Sequence, residues 1–258
     1  MIAQIRLATG IRQLKSLTAK LVDAVLPAQC ISCHQLTREP GRLCFDCWDE
    51  LSFIDHPLCD RMGTPFAFDP GKGIVSARAL AQPPVWSRAR AAVEFNDMSR
   101  KLIHALKYHD RHEVAGMMSQ SMNRAGSELL ATADLIIPVP LYRFRQWQRR
   151  FNQSAALARQ IAIDTGIAYQ SDILLRSRST RQQVGLKGAE RRNNVKGAFV
   201  VDENKSGELH GAKVVLVDDV ITTGATVGAC SQALLTAGCQ QVDVLSFALV
   251  NNPLQLHI

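Results

Sequence analysis

What this 258-residue chain lacks narrows its class first. No run of eighteen uncharged apolar residues occurs, which disfavours a helix crossing a bilayer core. The first 26 residues hold no compact apolar block, because Arg6, Arg12, Lys15 and Lys20 are spread among the apolar positions. That pattern is unlike a secretory signal and places the chain in the cytoplasm. A Walker-type GxxxxGKS or GxxxxGKT string is missing, which disfavours an ATPase of that kind. Neither an internal repeat nor a low-complexity tract is visible. Acidic residues are absent between Asp134 and Asp164, and the absence coincides with a dense run of arginine.

Apolar residues make up 47% of the chain, enough for a sizeable core in one large domain with a small module attached. Lys and Arg number 30 against 23 Asp and Glu, a net +7 that suits a phosphorylated ligand or nucleic acid. The seven cysteines are an odd count and include two tight pairs, Cys30-x2-Cys33 and Cys44-x2-Cys47, ten residues apart. Such pairs point to metal or thiol chemistry rather than a disulfide framework. Each CxxC turn presents two sulfurs on one side, so two turns complete the closed four-thiolate set of a structural zinc. A redox pair and free buried thiols are the other readings. Cys59 has no such partner, since Met62 stands where one would be, and reads as a buried thiol.

The chain divides by pattern. Ile5, Ile11, Leu14, Leu17, Leu21 and Val25 recur near helical spacing, so residues 1–27 read as an amphipathic helix ended by Pro27. Residues 28–66 form the cysteine module, and 67–87, with Pro70, Gly71, Gly73, Pro83 and Pro84, read as a linker. From residue 88 to 251 short apolar runs alternate with helical periods. Strands are expected at 91–95, 135–139, 214–217 and 242–249. Helices are expected at 98–107, 112–130, 153–165 and 227–237, with a polar, basic stretch at 172–201. Strand and helix in alternation predict a parallel sheet covered by helices, an α/β fold.

The densest chemical signal is Val214-Val-Leu-Val-Asp218-Asp219-Val-Ile-Thr222-Thr223-Gly224-Ala225-Thr226. A buried strand runs into two carboxylates, and a turn of small residues then opens a helix. Ligands in parallel sheets sit at the carboxyl ends of strands. The amides of the turn and helix N-terminus make an anion site, and two carboxylates beside it suit sugar hydroxyls or a nearby magnesium ion. A capped helix with solvated aspartates is the plainer reading of any one of these residues. The whole string resembles the signature of type I phosphoribosyltransferases. That resemblance implies that Asp218 and Asp219 hold the ribose 2′- and 3′-hydroxyls of 5-phosphoribosyl-1-pyrophosphate. It assigns Thr222, Thr223, Gly224, Ala225 and Thr226 to the 5-phosphate and makes the two aspartates the best catalytic candidates.

Two arginine segments extend the resemblance. Arg143, Arg145, Arg149 and Arg150 follow a buried strand, interleaved with Phe144, Trp147 and Phe151. Guanidinium forks match phosphate oxygens, and the aromatics offer stacking surfaces for bases. Arg176, Arg178, Arg181, Lys187, Arg191, Arg192 and Lys196 form the second run, opposed only by Glu190. PVPLYRFRQWQRRFNQSAALA, RSTRQQVGLKGAERRNNVKGAF and VVLVDDVITTGATV together resemble the competence protein ComF family, also called ComFC-like, over residues 22–250. Members typically carry an N-terminal zinc ribbon before a phosphoribosyltransferase domain, and many have a second metal-binding pair where this chain has the lone Cys59. By resemblance, residues 141–150 contact pyrophosphate, 178–192 correspond to a loop that closes over the site, and Lys107 and Tyr108 match a family element. The implied cofactors are structural zinc and magnesium. The implied partners are the ribosyl pyrophosphate, single-stranded DNA and a DNA-translocating helicase. Three functions remain open: transfer of ribose 5-phosphate to an unknown acceptor, an accessory role in DNA uptake or repair, and a scaffold with a vestigial site.

Overall fold

The computed structural model describes residues 27–71, 73–108, 112–141, 152–177 and 197–251. The amphipathic segment 2–26, the arginine–aromatic segment 143–151 and the basic segment 178–192 lie outside the described residues. Two compact units are present, Met1–Glu50 and Leu51–Ile258. In the first, a tight turn closed by a bridge between Gln29 and Leu36 precedes a short helix, α1 (Phe45–Asp49).

The second unit begins with α2 (Ala77–Ala81), β1 (Ala89–Glu94), α3 (Asp97–Tyr108), α4 (His112–Ala125), α5 (Ser127–Leu130) and β2 (Leu135–Pro138). It continues with α6 (Gln153–Thr165), β3 (Ala168–Tyr169), β4 (Leu174–Arg176), β5 (Phe199–Val201) and a 3-10 turn at Glu203–Leu209. It ends with β6 (Lys213–Ile221), α7 (Ala225–Thr236) and β7 (Gln241–Leu249). Five strands form one sheet in the order β1-β7-β6-β2-β3, and every neighbouring pair is parallel. β4 and β5 pair antiparallel as a separate ribbon.

The expected parallel α/β sheet is therefore present, and the reason is visible in its strands. KVVLVDDVI and QVDVLSFAL are mostly apolar, the first rich in β-branched residues, which suits central strands covered on both faces. Val214, Leu216, Val242 and Val244 share one core with Val227, Cys230 and Leu234 of α7. The alternate residues face the other way. There α4 lies along β1 and β7, and α6 along β2 and β6. Gly126, which separates α4 from α5, allows the closest approach on that side: a Cβ there would stand 2.7 Å from Leu245 Cδ1. It also divides the single helix expected over 112–130. α6 starts at Asn152, whose side chain accepts the Ala155 N–H, and stops at Gly166 with φ +75°.

Three backbone hydrogen bonds tie residues 51–87 to the sheet strands. Ile54 N–H donates to Ala92 O at 3.0 Å, Glu94 N–H to Ser52 O at 2.8 Å, and Ser87 N–H to Val242 O at 2.8 Å. Arg90, almost fully buried, reaches both the carbonyl and the carboxylate of Asp60 at 2.8 Å and also pairs with Glu128. β6 is longer than the expected strand at 214–217, since its pairing with β7 continues past both aspartates to Ile221 and Leu249. Among the described residues no helix is long and apolar enough to cross a membrane.

Candidate functional site

The junction of β6 with α7 builds the site. Asp218 sits opposite Ser246 in the ladder, so it is fixed by strand pairing rather than carried on a loop. Strand geometry sends consecutive side chains to opposite faces. Asp218 meets the start of α6, where Ser154 Oγ donates to its Oδ1 at 2.9 Å. Asp219 is directed to α3, where Lys107 Nζ lies 3.3 Å from its Oδ2. The chain then turns through Thr222, Thr223 and Gly224. Gly224 takes φ +77°, in the left-handed region that glycine enters without strain, and α7 begins at the next residue. The first turn of α7 contains no acidic side chain, which leaves its N-terminal amides and the positive end of its dipole toward the cleft.

A cleft of about 250 Å³ lies over this junction. It brings together Asp218, Asp219, Thr222, Gly224, Ala225 and Thr226, with Lys107, Ser154 and Arg176 around them. Thr223 faces a neighbouring groove instead, and its Oγ1 accepts the Ala225 N–H at 3.4 Å. Arg143, Arg145, Arg149 and Arg150 are not described, but Val139 to Leu141 before them and Gln153 and Ser154 after them line the cleft. Ser154 was not singled out by the sequence reading. Its signal there is faint: a serine two residues into a helix that follows the arginine segment. Arg176 was read as one member of a basic run, and its rim position becomes visible only through the β4–β5 ribbon.

The electrostatics of the pair are uneven. Burial and the adjacent Asp219 charge push the Asp218 carboxyl up to about 8, against the hydrogen bonds from Ser154 and the Asp219 N–H and the nearby Lys107 charge. A carboxyl that keeps its proton to about pH 8 when folded, but loses it near pH 4 when unfolded, favours the folded state fully below pH 4. That contribution is lost as pH climbs from 4 to 8. Asp218→Asn removes the titration. In ligand-free protein its stability relative to the parent should rise steadily over that interval, by roughly several kcal/mol. Urea unfolding of both proteins from pH 4.5 to 8.5 checks this, and a constant difference contradicts it.

In the first unit, Cys30, Cys33, Cys44 and Cys47 bring their sulfurs within 4.8 Å of one another. Cys33 and Cys44 Sγ are 3.5 Å apart. Thiolates about 2.3 Å from zinc form a tetrahedron with edges of about 3.8 Å, so the four sulfurs fit a closed zinc site. The thiols are already biased. Burial opposes the Cys30 thiolate, but backbone hydrogen bonds at Cys33, Cys44 and Ser32 outweigh it and bring this thiol down to about 6. Burial and the neighbouring sulfurs push Cys47 up. Zinc would hold all four as thiolates.

The second unit holds a repeat that the sequence reading missed. In the first ribbon Cys30 N–H donates to Gln35 O, His34 N–H to Cys30 O, and Ile31 N–H to Arg42 O. Twenty-nine residues on, Cys59 N–H donates to Thr64 O, Gly63 N–H to Cys59 O, and Asp60 N–H to Ile74 O. His34 and Gly63 share the left-handed conformation, at φ +64° and +67°. Cys44 caps α1 with buried Cys47 three residues on; Ser76 caps α2 with buried Ala79 three residues on. The ligand positions of the second ribbon are thus Cys59, Met62, Ser76 and Ala79, with one thiol left. Ser76 N–H donates to that buried sulfur at 3.2 Å. Elemental analysis should find one zinc per chain. Cys44→Ser should lose it and Cys59→Ser should keep it; a second zinc removed by Cys59→Ser would contradict the assignment.

Residues 21–78 match the double zinc ribbon domain family and residues 153–254 the phosphoribosyl transferase domain family. The chain is 33% identical to the DNA utilization protein YhgH of Salmonella typhimurium over 192 residues, 72% of this chain and 82% of the relative. It is 30% identical to the competence protein F of Haemophilus influenzae over 226 residues, 85% of this chain and 96% of the relative. The orotate phosphoribosyltransferase of Aeropyrum pernix superposes with a TM-score of 0.35 at 16% identity, over 64% of this chain and 83% of that one, too slight a likeness to argue from. With these identities over most of each relative's length, a cysteine ribbon and a phosphoribosyltransferase-type domain, the chain belongs to the ComF family of competence and DNA utilization proteins.

Proposed function

We propose that the cleft binds 5-phosphoribosyl-1-pyrophosphate and that the protein transfers ribose 5-phosphate from it to an acceptor. The observation that carries this reading is the pairing of Asp218 and Asp219, held apart by Ser154 and Lys107, with the open N-terminus of α7. Carboxylates accept hydrogen bonds from a ribose diol, while the amides at Gly224 to Thr226 and the threonine hydroxyls donate to a 5-phosphate. Lys107 offsets the charge on Asp219, and Arg176 adds a cation at the rim for the pyrophosphate. In the transfer, the bond from ribose C1 to pyrophosphate oxygen breaks with its electron pair leaving on oxygen, and the acceptor's lone pair forms the new bond at C1. Fixed donors and cations around the departing pyrophosphate lower the barrier most. Asp218 and Asp219 offer the hard oxygens that magnesium takes, and when bound the ion would draw off pyrophosphate charge. The free cysteines, four of them in one metal-type cluster, suit a cytoplasmic setting.

Calorimetry with the ribosyl pyrophosphate and magnesium tests the reading. At pH 8.5, above the point where Asp218 gives up its proton, Asp218→Asn with Asp219→Asn should weaken binding by well over tenfold, because each charge-assisted bond contributes about 1.5–3 kcal/mol. Zinc content should not change. Equal affinity in a folded double variant would remove both aspartates from the site.

A second reading is an accessory in DNA uptake or repair that binds single strands and works with a DNA-translocating helicase. It is supported by the names of the relatives and by the net charge of +7. On that reading, fluorescence anisotropy with a labelled oligonucleotide should show binding at low salt that weakens steeply as salt rises, through counterion release. No binding at low salt would count against it.

A further inference from the structure

The turn that begins α7 rests on an indole ring. A Cβ at Gly224 would lie 2.6 Å from Trp86 Cη2, and one at Gly228 would lie 3.5 Å from Trp86 Cζ3. Trp86 is buried and faces a groove of about 1360 Å³ beside the cleft, so it backs the turn from the side away from the proposed ligand. The ring has little freedom. Its Nε1–H donates to Arg61 O at 2.9 Å, and Arg61 Nη2 donates in return to Pro84 O at 2.9 Å and to Trp86 O at 2.8 Å.

Arg61 belongs to the second ribbon, two residues after Cys59, where the first ribbon has Ser32. That ribbon is itself pinned to the sheet. Gly63 presses so closely on β1 that a Cβ there would stand 2.5 Å from Ala89 O. Arg90 of β1 binds the carbonyl and carboxylate of Asp60, at 2.8 Å each. An unbroken set of short contacts therefore runs from β1 through the ribbon knuckle, Arg61 and Trp86 to Gly224.

We propose that the metal-free second ribbon serves as a buttress for the phosphate turn, with Arg61 and Trp86 as positioning residues that fix the Gly224 and Ala225 amides. This rests on reading the cleft as a phosphoribosyl site. A ribbon without metal needs other contacts to tie its two halves together. Here the Ser76–Cys59 hydrogen bond and the Arg61–Trp86 clasp do so, and the knuckle stiffens a neighbouring loop. Amides that must point at one phosphate gain from such support, because a displacement near 1 Å in a binding constellation is enough to lose most of its effect.

The test uses the full chain with Trp48→Phe and Trp147→Phe, leaving Trp86 as the sole tryptophan. Calorimetry with the ribosyl pyrophosphate and magnesium is run first. Saturation should then shift Trp86 emission with the same midpoint, and inorganic phosphate alone should shift it in the same direction. Trp86→Leu, made in the natural background, should weaken binding by roughly tenfold or more with zinc content unchanged. Since that change alone can unfold the region, Arg61→Met is measured beside it. It keeps the indole but removes both guanidinium bonds, and it should weaken binding by several-fold while circular dichroism stays that of the parent. Failure of the parent itself to bind overturns the reading of the cleft and the buttress with it. Normal binding by Arg61→Met, or saturation with no change in Trp86 emission, overturns the buttress alone.

Discussion

Two carboxylates on consecutive residues of a buried strand repel each other and lose hydration together, and the rest of the site is arranged around that repulsion. β6 does not end before Asp218 and Asp219 but carries them inside its ladder with β7. Consecutive side chains leave the strand on opposite faces, and each meets a different partner, Ser154 or Lys107. One carboxyl holds a proton to about pH 8 and the other faces an ammonium. Neither arrangement would be needed in an empty loop; both suit a site waiting for hydroxyl donors and a cation.

The same economy of backbone is seen in the two ribbons. Their hydrogen bonds, left-handed residues and capped helices correspond, yet one gathers four thiols and the other keeps a single buried sulfur. A knuckle fold is thus separable from its metal when packing replaces coordination. In the second ribbon the replacement comes from Ser76, from Arg90 on β1 and from the clasp between Arg61 and Trp86.

Much of the sheet was legible in the sequence because its strands are apolar and its helices periodic. The helix over 153–165 is delimited by Asn152 and Gly166, signals that act through local hydrogen bonds and φ alone. Legibility fails where the determinant is long-range. Nothing in LVDDVI says that pairing continues through the aspartates, since that depends on β7 alongside. β3, two residues long, exists only because β2 offers it an edge. The second ribbon escaped because its repeat resides in backbone hydrogen bonds, while the residues that would announce it have become Met62, Ser76 and Ala79. Trp86 reads as a linker aromatic until the chain brings Gly224 beneath it.

The division of labour between the ribbons bears on how the protein meets scarcity. Cells do not hold zinc at constant supply, and a fold closed by four thiolates draws its stability from that supply. In this chain the dependence is confined to Met1–Glu50, while the knuckle packed on β1 needs only atoms encoded in the polypeptide. Loss of zinc therefore acts on one unit, and the β6–α7 cleft lies in the other.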